Sequence, residues 1–200
     1  MLYFIRHGQT DWNLVGKIQG QHDVPLNDTG RAQAINVTDK LARLNLEYII
    51  SSDLSRASET AQIIGNKLNI RVDYDARLRE YDFGILTGMT RNMLDPNSEQ
   101  AFFANPTYFN AESFDAAFAR VKGFLESVDF NKNILVVTHG GVINFVLCYL
   151  ENKDNFQSYM YYDKCLRIKI NNSSILRIKN LESEMSVLKN TRFFALPKTK

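Results

Sequence analysis

Leu2-Tyr3-Phe4-Ile5-Arg6-His7-Gly8-Gln9-Thr10 runs from an apolar stretch straight into a guanidinium, an imidazole and a glycine. A short apolar run that stops at a glycine reads as a buried strand, Met1–Arg6, whose exit delivers Arg6 and His7. Further along, Asn27-Asp28-Thr29-Gly30 is a helix start, and Ala34, Ile35, Thr38, Leu41 and Ala42 follow at helical spacing. Leu46–Ile50 is a second buried strand, ended by Ser51-Ser52-Asp53. The helix after it carries Ala57, Ala61, Ile64 and Leu68 on one face. Ile70–Tyr74 is a third, short strand. Phe114, Ala117, Phe118, Val121, Leu125 and Val128 mark an amphipathic helix, Ile134–Val137 a strand and Gly141–Leu150 a helix. The tail reads as strands over Cys165–Ile170, Ser174–Lys179 and Met185–Leu188, the first two joined as a hairpin at Asn171-Asn172.

This order, βαβαβ, then αβα, then strands, implies an α/β fold: a three-layer α/β/α sandwich with a mostly parallel, mixed central sheet. A single domain over residues 1–200 is expected. Its one departure from regular elements is an excursion at about 81–110, read as irregular, with Gly84, Gly88, Pro96 and Pro106. The aromatic residues there, Phe102, Phe103, Tyr108 and Phe109, suit either a core or a lid over a cleft.

Composition narrows the function classes. The 200 residues are 44% hydrophobic and 23% charged, which excludes global disorder. The net charge of +2 is too balanced to signal a nucleic-acid binder, so an anion site must come from a local cluster. Two Cys, Cys148 and Cys165, lie in apolar runs outside any metal pattern and read as buried, reduced thiols. The apolar start meets Arg6 and His7 at once and lacks a basic region before it, so no signal peptide is expected. The longest apolar stretch, Ile134 to Leu150, is broken by Thr138-His139-Gly140-Gly141 and Asn144, so no membrane span is expected. A soluble cytoplasmic protein is the expectation.

In an open α/β sheet, ligands bind beyond the carboxyl ends of the strands. Arg6-His7-Gly8-Gln9-Thr10 follows the first strand, with Asn13 close behind; Ser51-Ser52-Asp53-Leu54-Ser55-Arg56 follows the second. Arg77, Arg79 and Glu80 follow the third, and Thr138-His139-Gly140-Gly141 the fourth. Two of the three His and at least two Arg therefore fall where they can converge. Such a set is wrong for zinc, because arginine beside a metal is unfavourable and no third His has ligand spacing; His22 lies in a Gln-Gly-Gln-His-Asp loop and is expected to be solvated. It suits a phosphate dianion. Arginine matches phosphate oxygens bidentately, and the Gly140-Gly141 turn opens a helix whose amides add donors. An imidazole can attack phosphorus, arginines stabilise the equatorial charge, and a carboxylic acid can protonate the leaving oxygen.

Read in order, these motifs resemble the histidine phosphatase superfamily, the phosphoglycerate mutase-like proteins. The similarity is carried by Leu2 to Asn13, then Lys17-Ile18-Gln19-Gly20, Asp23-Val24-Pro25-Leu26-Asn27, Gly30 and Gln33-Ala34. It continues through Ser51 to Ala57 with Thr60-Ala61, Leu78-Arg79-Glu80 through Gly84 and Gly88, Glu112-Ser113 with Arg120, and Val137 to Gly141. It covers roughly residues 1–145, and the tail agrees in general shape. The resemblance implies that His7 is the nucleophile, forming a phosphohistidine. It implies that Arg6, Arg56 and His139 bind the transferring phosphoryl group, that Asn13 adds a hydrogen bond, and that Gln19, Gly20 and Gly140 complete the substrate-binding set. Glu80 would protonate the leaving group and then take a proton from the attacking water. Neither metal nor cofactor is implied.

Lys17 stands where the family usually has Arg, and Asn144 where many members have Arg. Tyr81-Asp82-Phe83-Gly84-Ile85-Leu86-Thr87-Gly88 lacks the basic residues that follow the acid in bisphosphoglycerate-dependent mutases, and the insertion after it is short. The expectation is thus a metal-independent phosphomonoesterase, a histidine acid-type phosphatase, acting on a small phosphorylated metabolite. Sugar phosphates, phosphorylated cofactor precursors and small carboxylic phosphates remain open, as does oligomeric state. The alternatives are a 2,3-bisphosphoglycerate-dependent phosphoglycerate mutase and a non-catalytic phosphoester-binding module.

Overall fold

The computed structural model describes residues 1–151, 172 and 175–178. Its strands are β1 (Leu2–Arg6), β2 (Tyr48–Ser51), β3 (Val72–Tyr74), β4 (Ile134–Thr138) and β5 (Ile175–Ile178). Its helices are α1 (Asp11–Leu14), α2 (Asp28–Leu41), α3 (Ser55–Leu68), α4 (Pro96–Ala104), α5 (Phe114–Ser127) and α6 (Gly140–Glu151). The sheet order is β3-β2-β4-β1-β5. The first four of these strands run parallel, and β5 joins β1 antiparallel, with Phe4 opposite Leu176. This is the mostly parallel, mixed sheet expected of the sequence.

Alternation along the strands assigns the two faces. Tyr3, Ile5, Leu135, Val137 and Ile49 pack on Val37 and Leu41 of α2 and Ala57, Ala61 and Ile64 of α3. Leu2, Phe4, Ile134 and Val136 face the other way, onto α5 and α6 through Val121, Phe124, Leu125, Val142 and Val146. Helices therefore cover both faces, which explains why β1 and β4 are apolar at nearly every position. No helix among the described residues is long and apolar enough to cross a membrane.

Some expectations change in detail. Ile35 belongs to no core stripe: it is 49% exposed, and Val37 is buried in its place. Residues 34, 37, 38 and 41 form the i, i+3, i+4, i+7 set, and position 35 lies about 100° away on the helix. β2 and β3 each start two residues later than the apolar runs suggest. The tail strand at Ser174–Lys179 corresponds to β5. Cys165–Ile170, Met185–Leu188, the turn residue Asn171, Cys165 and the Cys148 thiol lie outside the described residues.

The excursion departs most from the reading as irregular. It contains α4, capped by Asp95, whose carboxylate accepts from the Asn97 and Ser98 amides, with Pro96 in the first turn. Short 3₁₀ turns at Gly84–Leu86, Arg91–Met93 and Pro106–Phe109 flank it. Its inner face is core. Phe102 is buried and meets Tyr81, Phe83, Phe103, Phe109 and Phe114 within ring-contact distance. Tyr108 is 80% exposed. Phe102→Ala should therefore lower unfolding free energy by roughly 3–5 kcal/mol, whereas Tyr108→Ala should change it by no more than about 0.5 kcal/mol. Urea denaturation midpoints of the two variants measure both.

Candidate active site

The carboxyl ends of β1 and β4 lie side by side, with Arg6 paired to Thr138. The chain leaves both strands there, and its backbone is stitched across the exit: His7 N–H donates to Thr138 O (2.9 Å) and Ser52 N–H to Val137 O (2.9 Å). His7 and His139 are consequently neighbours, with ring centroids 5.2 Å apart. His7 is 2% exposed, and His139 and Arg56 are fully buried.

Close packing of backbone holds the His7 loop. Gly8 lies against Gly30 in the first turn of α2, and a Cβ on either residue would overlap backbone atoms of the other's loop. Gly8 N–H donates to Thr60 Oγ1 (3.0 Å), whose hydroxyl donates to Arg56 O (2.7 Å), so α3 is tied to the same loop. His7 Nδ1 lies 2.6 Å from Gly8 O. A carbonyl only accepts, so Nδ1 carries the proton and Nε2 presents the lone pair.

Arg56 is braced by two carbonyls: it donates from Nη1 to His22 O (2.9 Å) and from Nη2 to Gly20 O (2.8 Å). Its Nε is buried without a protein partner. His139 Nε2 pairs with Ser52 Oγ (2.9 Å), and its Nδ1 is likewise buried without one. Arg56 Nε is a donor, and His139 Nδ1 is one when the Ser52 hydroxyl donates to Nε2; a buried donor without a partner is costly, and an oxyanion would satisfy both. Burial and the nearby Arg56 and Arg6 guanidiniums hold His7 well below the ordinary imidazole pKa. Burial and Arg56 do the same for His139, with His7, Arg6 and Arg120 adding to the effect. Burial brings Arg56 down to about 10, partly offset by Glu80 and Asp23. The pocket thus holds two neutral imidazoles and two guanidiniums.

Glu80 is the carboxylate facing this charge. Oε1 accepts from Tyr81 N–H (3.0 Å) and Oε2 from Gly141 N–H (3.3 Å). A Cβ on Gly141 would meet Glu80 Oε1, so a larger residue there would push the carboxyl group aside. The other charges in this stretch have partners elsewhere. Arg79 pairs with Asp53, Arg77 pairs with Asp75 (2.6 Å), and Asp82 Oδ1 accepts from Gly84 N–H (2.9 Å).

The remaining expected residues surround this group in mixed roles. Asn13 caps α1 reciprocally with Thr10, and its Oδ1 accepts from Thr10 N–H (3.1 Å), which leaves the Nδ2 amide as the donor to offer an oxyanion. Gln19 Oε1 accepts from Thr10 Oγ1 (3.0 Å), and Gly20 props Arg56, so both have a bracing contact. Gly140 lies against the Arg6 guanidinium. The group that the Gly141 amide meets is the protein's own Glu80 carboxyl. His22 is exposed, as expected of a solvated loop residue, and its ring stacks on Trp12 at 5.0 Å. Asn172, not among the expected site residues, donates from Nδ2 to His7 O (2.8 Å) and to Asn13 Oδ1 (3.3 Å). Among the described residues no three His, Cys, Asp or Glu side chains group as a metal site requires.

The chain matches the histidine phosphatase superfamily (branch 1) over residues 2–186. It is 41% identical over 153 residues to phosphoglycerate mutase-like protein 4 of Arabidopsis thaliana, spanning 70% of this chain and 66% of that relative. It is 33% identical over 166 residues to the uncharacterized phosphatase PhoE of Bacillus subtilis, spanning 81% and 83%. A mycobacterial glucosyl-3-phosphoglycerate phosphatase solved with VO3 superposes with a TM-score of 0.73 at 28% identity, covering 87% of this chain and 88% of that one.

Two imidazoles kept neutral by folding make stability depend on pH. Their folded pKa values lie below the unfolded value of 6.5, so the unfolded chain binds more protons as pH falls through that value. Stability in phosphate-free buffer should therefore drop as pH falls below about 6.5, towards the depressed folded pKa values. Thermal melts of the protein and of a His7→Gln/His139→Gln variant measure this. The variant should show a clearly shallower loss, and equal slopes would mean the two rings titrate normally.

Proposed function

The chain belongs to the histidine phosphatase superfamily, and from that premise we propose that it is a metal-independent phosphomonoesterase working through a phosphohistidine on His7. The observation that carries this reading is the His7 ring, with Nδ1–H spent on Gly8 O and Nε2 left as a lone pair inside a buried, cationic pocket. An imidazole so held needs no base to become a nucleophile.

In the first step Nε2 attacks phosphorus, the P–N bond forms and the P–O ester bond breaks. Glu80, entering as the acid, gives its proton to the leaving oxygen. The Gly8 carbonyl stabilises the charge that develops on the ring. Arg6, Arg56, the Nδ1 group of His139 and the Asn13 amide offer donors to the phosphoryl oxygens, so the transition-state charge meets dipoles already in place. In the second step water attacks phosphorus and gives a proton to the Glu80 carboxylate. The P–N bond breaks, and inorganic phosphate leaves with His7 and Glu80 restored. The two guanidiniums supply the positive charge that a metal supplies in other phosphatases.

The short excursion and the lack of basic residues over Tyr81–Gly88 support hydrolysis over mutase chemistry. A small phosphorylated metabolite as substrate is in keeping with the similar mycobacterial structure, a glucosyl-3-phosphoglycerate phosphatase.

The test is phosphate release from a panel of phosphomonoesters with EDTA present throughout. Activity should survive EDTA and be inhibited competitively by vanadate. Arg56→Ala should weaken vanadate and slow turnover by roughly 10²–10³-fold, as loss of a preorganised donor does. His7→Ala should have no turnover above background. Activity abolished by EDTA and restored by a divalent metal, or retained in His7→Ala, would overturn the reading.

A further inference from the structure

Glu80 sits on a loop, residues 79–83, between the 3₁₀ turn that ends at Leu78 and the one that starts at Gly84. Its backbone carbonyls must find partners outside the strand ladders. Those of residues 77 to 80 are all met by side chains. Thr138 Oγ1 donates to Leu78 O (2.7 Å). Arg120, in α5, supplies the other three: Nη1 donates to Arg77 O and Arg79 O (2.7 Å each), and Nη2 to Glu80 O (3.1 Å).

The same guanidinium is gripped from behind by Glu112, at 2.7 Å from Nε and 2.9 Å from Nη2, and both side chains are only 16% exposed. Glu112 in turn holds the far side of the loop. Its N–H donates to Asp82 O (3.0 Å), its carbonyl accepts from the Tyr81 hydroxyl, and Asp82 N–H approaches its Oε2 at 3.4 Å. The pair brackets Glu80 on both sides in sequence. Each of these contacts with the loop is to a backbone atom or to the Tyr81 hydroxyl, none to the Glu80 carboxylate.

Resting on the reading of Glu80 as the acid, we propose that Arg120 and Glu112 are positioning residues for proton delivery: they fix the backbone from which the Glu80 carboxyl reaches the leaving oxygen. A planar fork with five donors can satisfy three carbonyls and a carboxylate at once; an ammonium cannot. Small misplacement of a catalytic group has a large cost in rate, so the effect should appear in the step that needs the proton.

The test is a double-mutant cycle on two probes, β-glycerophosphate, whose alkoxide needs a proton, and p-nitrophenyl phosphate, whose phenolate does not. Arg120→Lys should slow β-glycerophosphate turnover by about 10–100-fold, part of the roughly 10²–10⁴-fold that a general acid contributes. The pre-steady-state burst with p-nitrophenyl phosphate and the inhibition by vanadate should each change by less than about threefold, which also reports an intact pocket. Glu112→Gln, which keeps the shape and loses the charge, should show the same pattern more weakly. In a Glu80→Gln background, Arg120→Lys should add less than about threefold on either probe. Equal losses on both probes, or an undiminished Arg120→Lys effect in the Glu80→Gln background, would overturn the proposal. Glu80→Gln itself losing both probes equally would overturn the assignment of the acid, and the proposal with it, a pattern separable from the other two.

Discussion

Buried positive charge without a full set of counter-charges is the constraint around which this molecule is built. Arg56 is fully buried and two imidazoles adjoin it; Arg6 stands at the same strand ends, and Glu80 is the carboxylate that faces them. Desolvating a guanidinium is expensive unless its donors are met. The fold meets them with carbonyls, Gly20 and His22 for Arg56, and keeps the imidazoles neutral. Arg56 Nε and His139 Nδ1 have no protein partner, and the proposed reading gives each a phosphoryl oxygen. On the proposed reading the pocket is organised for a charge that arrives with the substrate, and needs little rearrangement when it does.

The neighbouring structure follows from holding this arrangement at fixed geometry. β1 and β4 are adjacent and parallel, so their exits place His7 beside His139. Glycine at positions 8 and 30 lets α2 close on the His7 loop, and glycine at 141 lets the Glu80 carboxyl group lie against the start of α6. The Glu80 loop is carried by side chains from β4 and α5, which ties it to the layer of helices that also packs the aromatic excursion.

Most of this is legible in the sequence where the signal is local. An apolar run ending in Arg6-His7-Gly8 and another ending in Thr138-His139-Gly140, taken with Arg56 and Glu80 after the other two strands, place candidate chemistry at the strand exits. Two kinds of feature are not legible in this way. Helix α4 has a start signal in Asp95-Pro96, but Phe102 and Phe103 give too little periodicity to extend it, and its stability comes from tertiary aromatic contacts. Asn172 contacts His7 across 165 positions, a pairing created by β5 returning antiparallel to β1, and no short-range pattern encodes it. Gln19 and Gly20, assigned by resemblance to substrate binding, have contacts that brace Thr10 and Arg56, a distinction that depends on three-dimensional proximity.

All of the proposed chemistry turns on whether His7 Nε2 becomes bonded to phosphorus during turnover. Mixing the protein with a ³²P-labelled phosphomonoester, quenching in base within milliseconds and mapping the label reads this directly, because the P–N bond survives alkali and is lost in acid. Label is expected on the peptide containing His7, appearing before free phosphate and absent in His7→Ala. Label on another residue, or phosphate released in the first turnover with no labelled peptide at any quench time, would contradict a phosphohistidine mechanism.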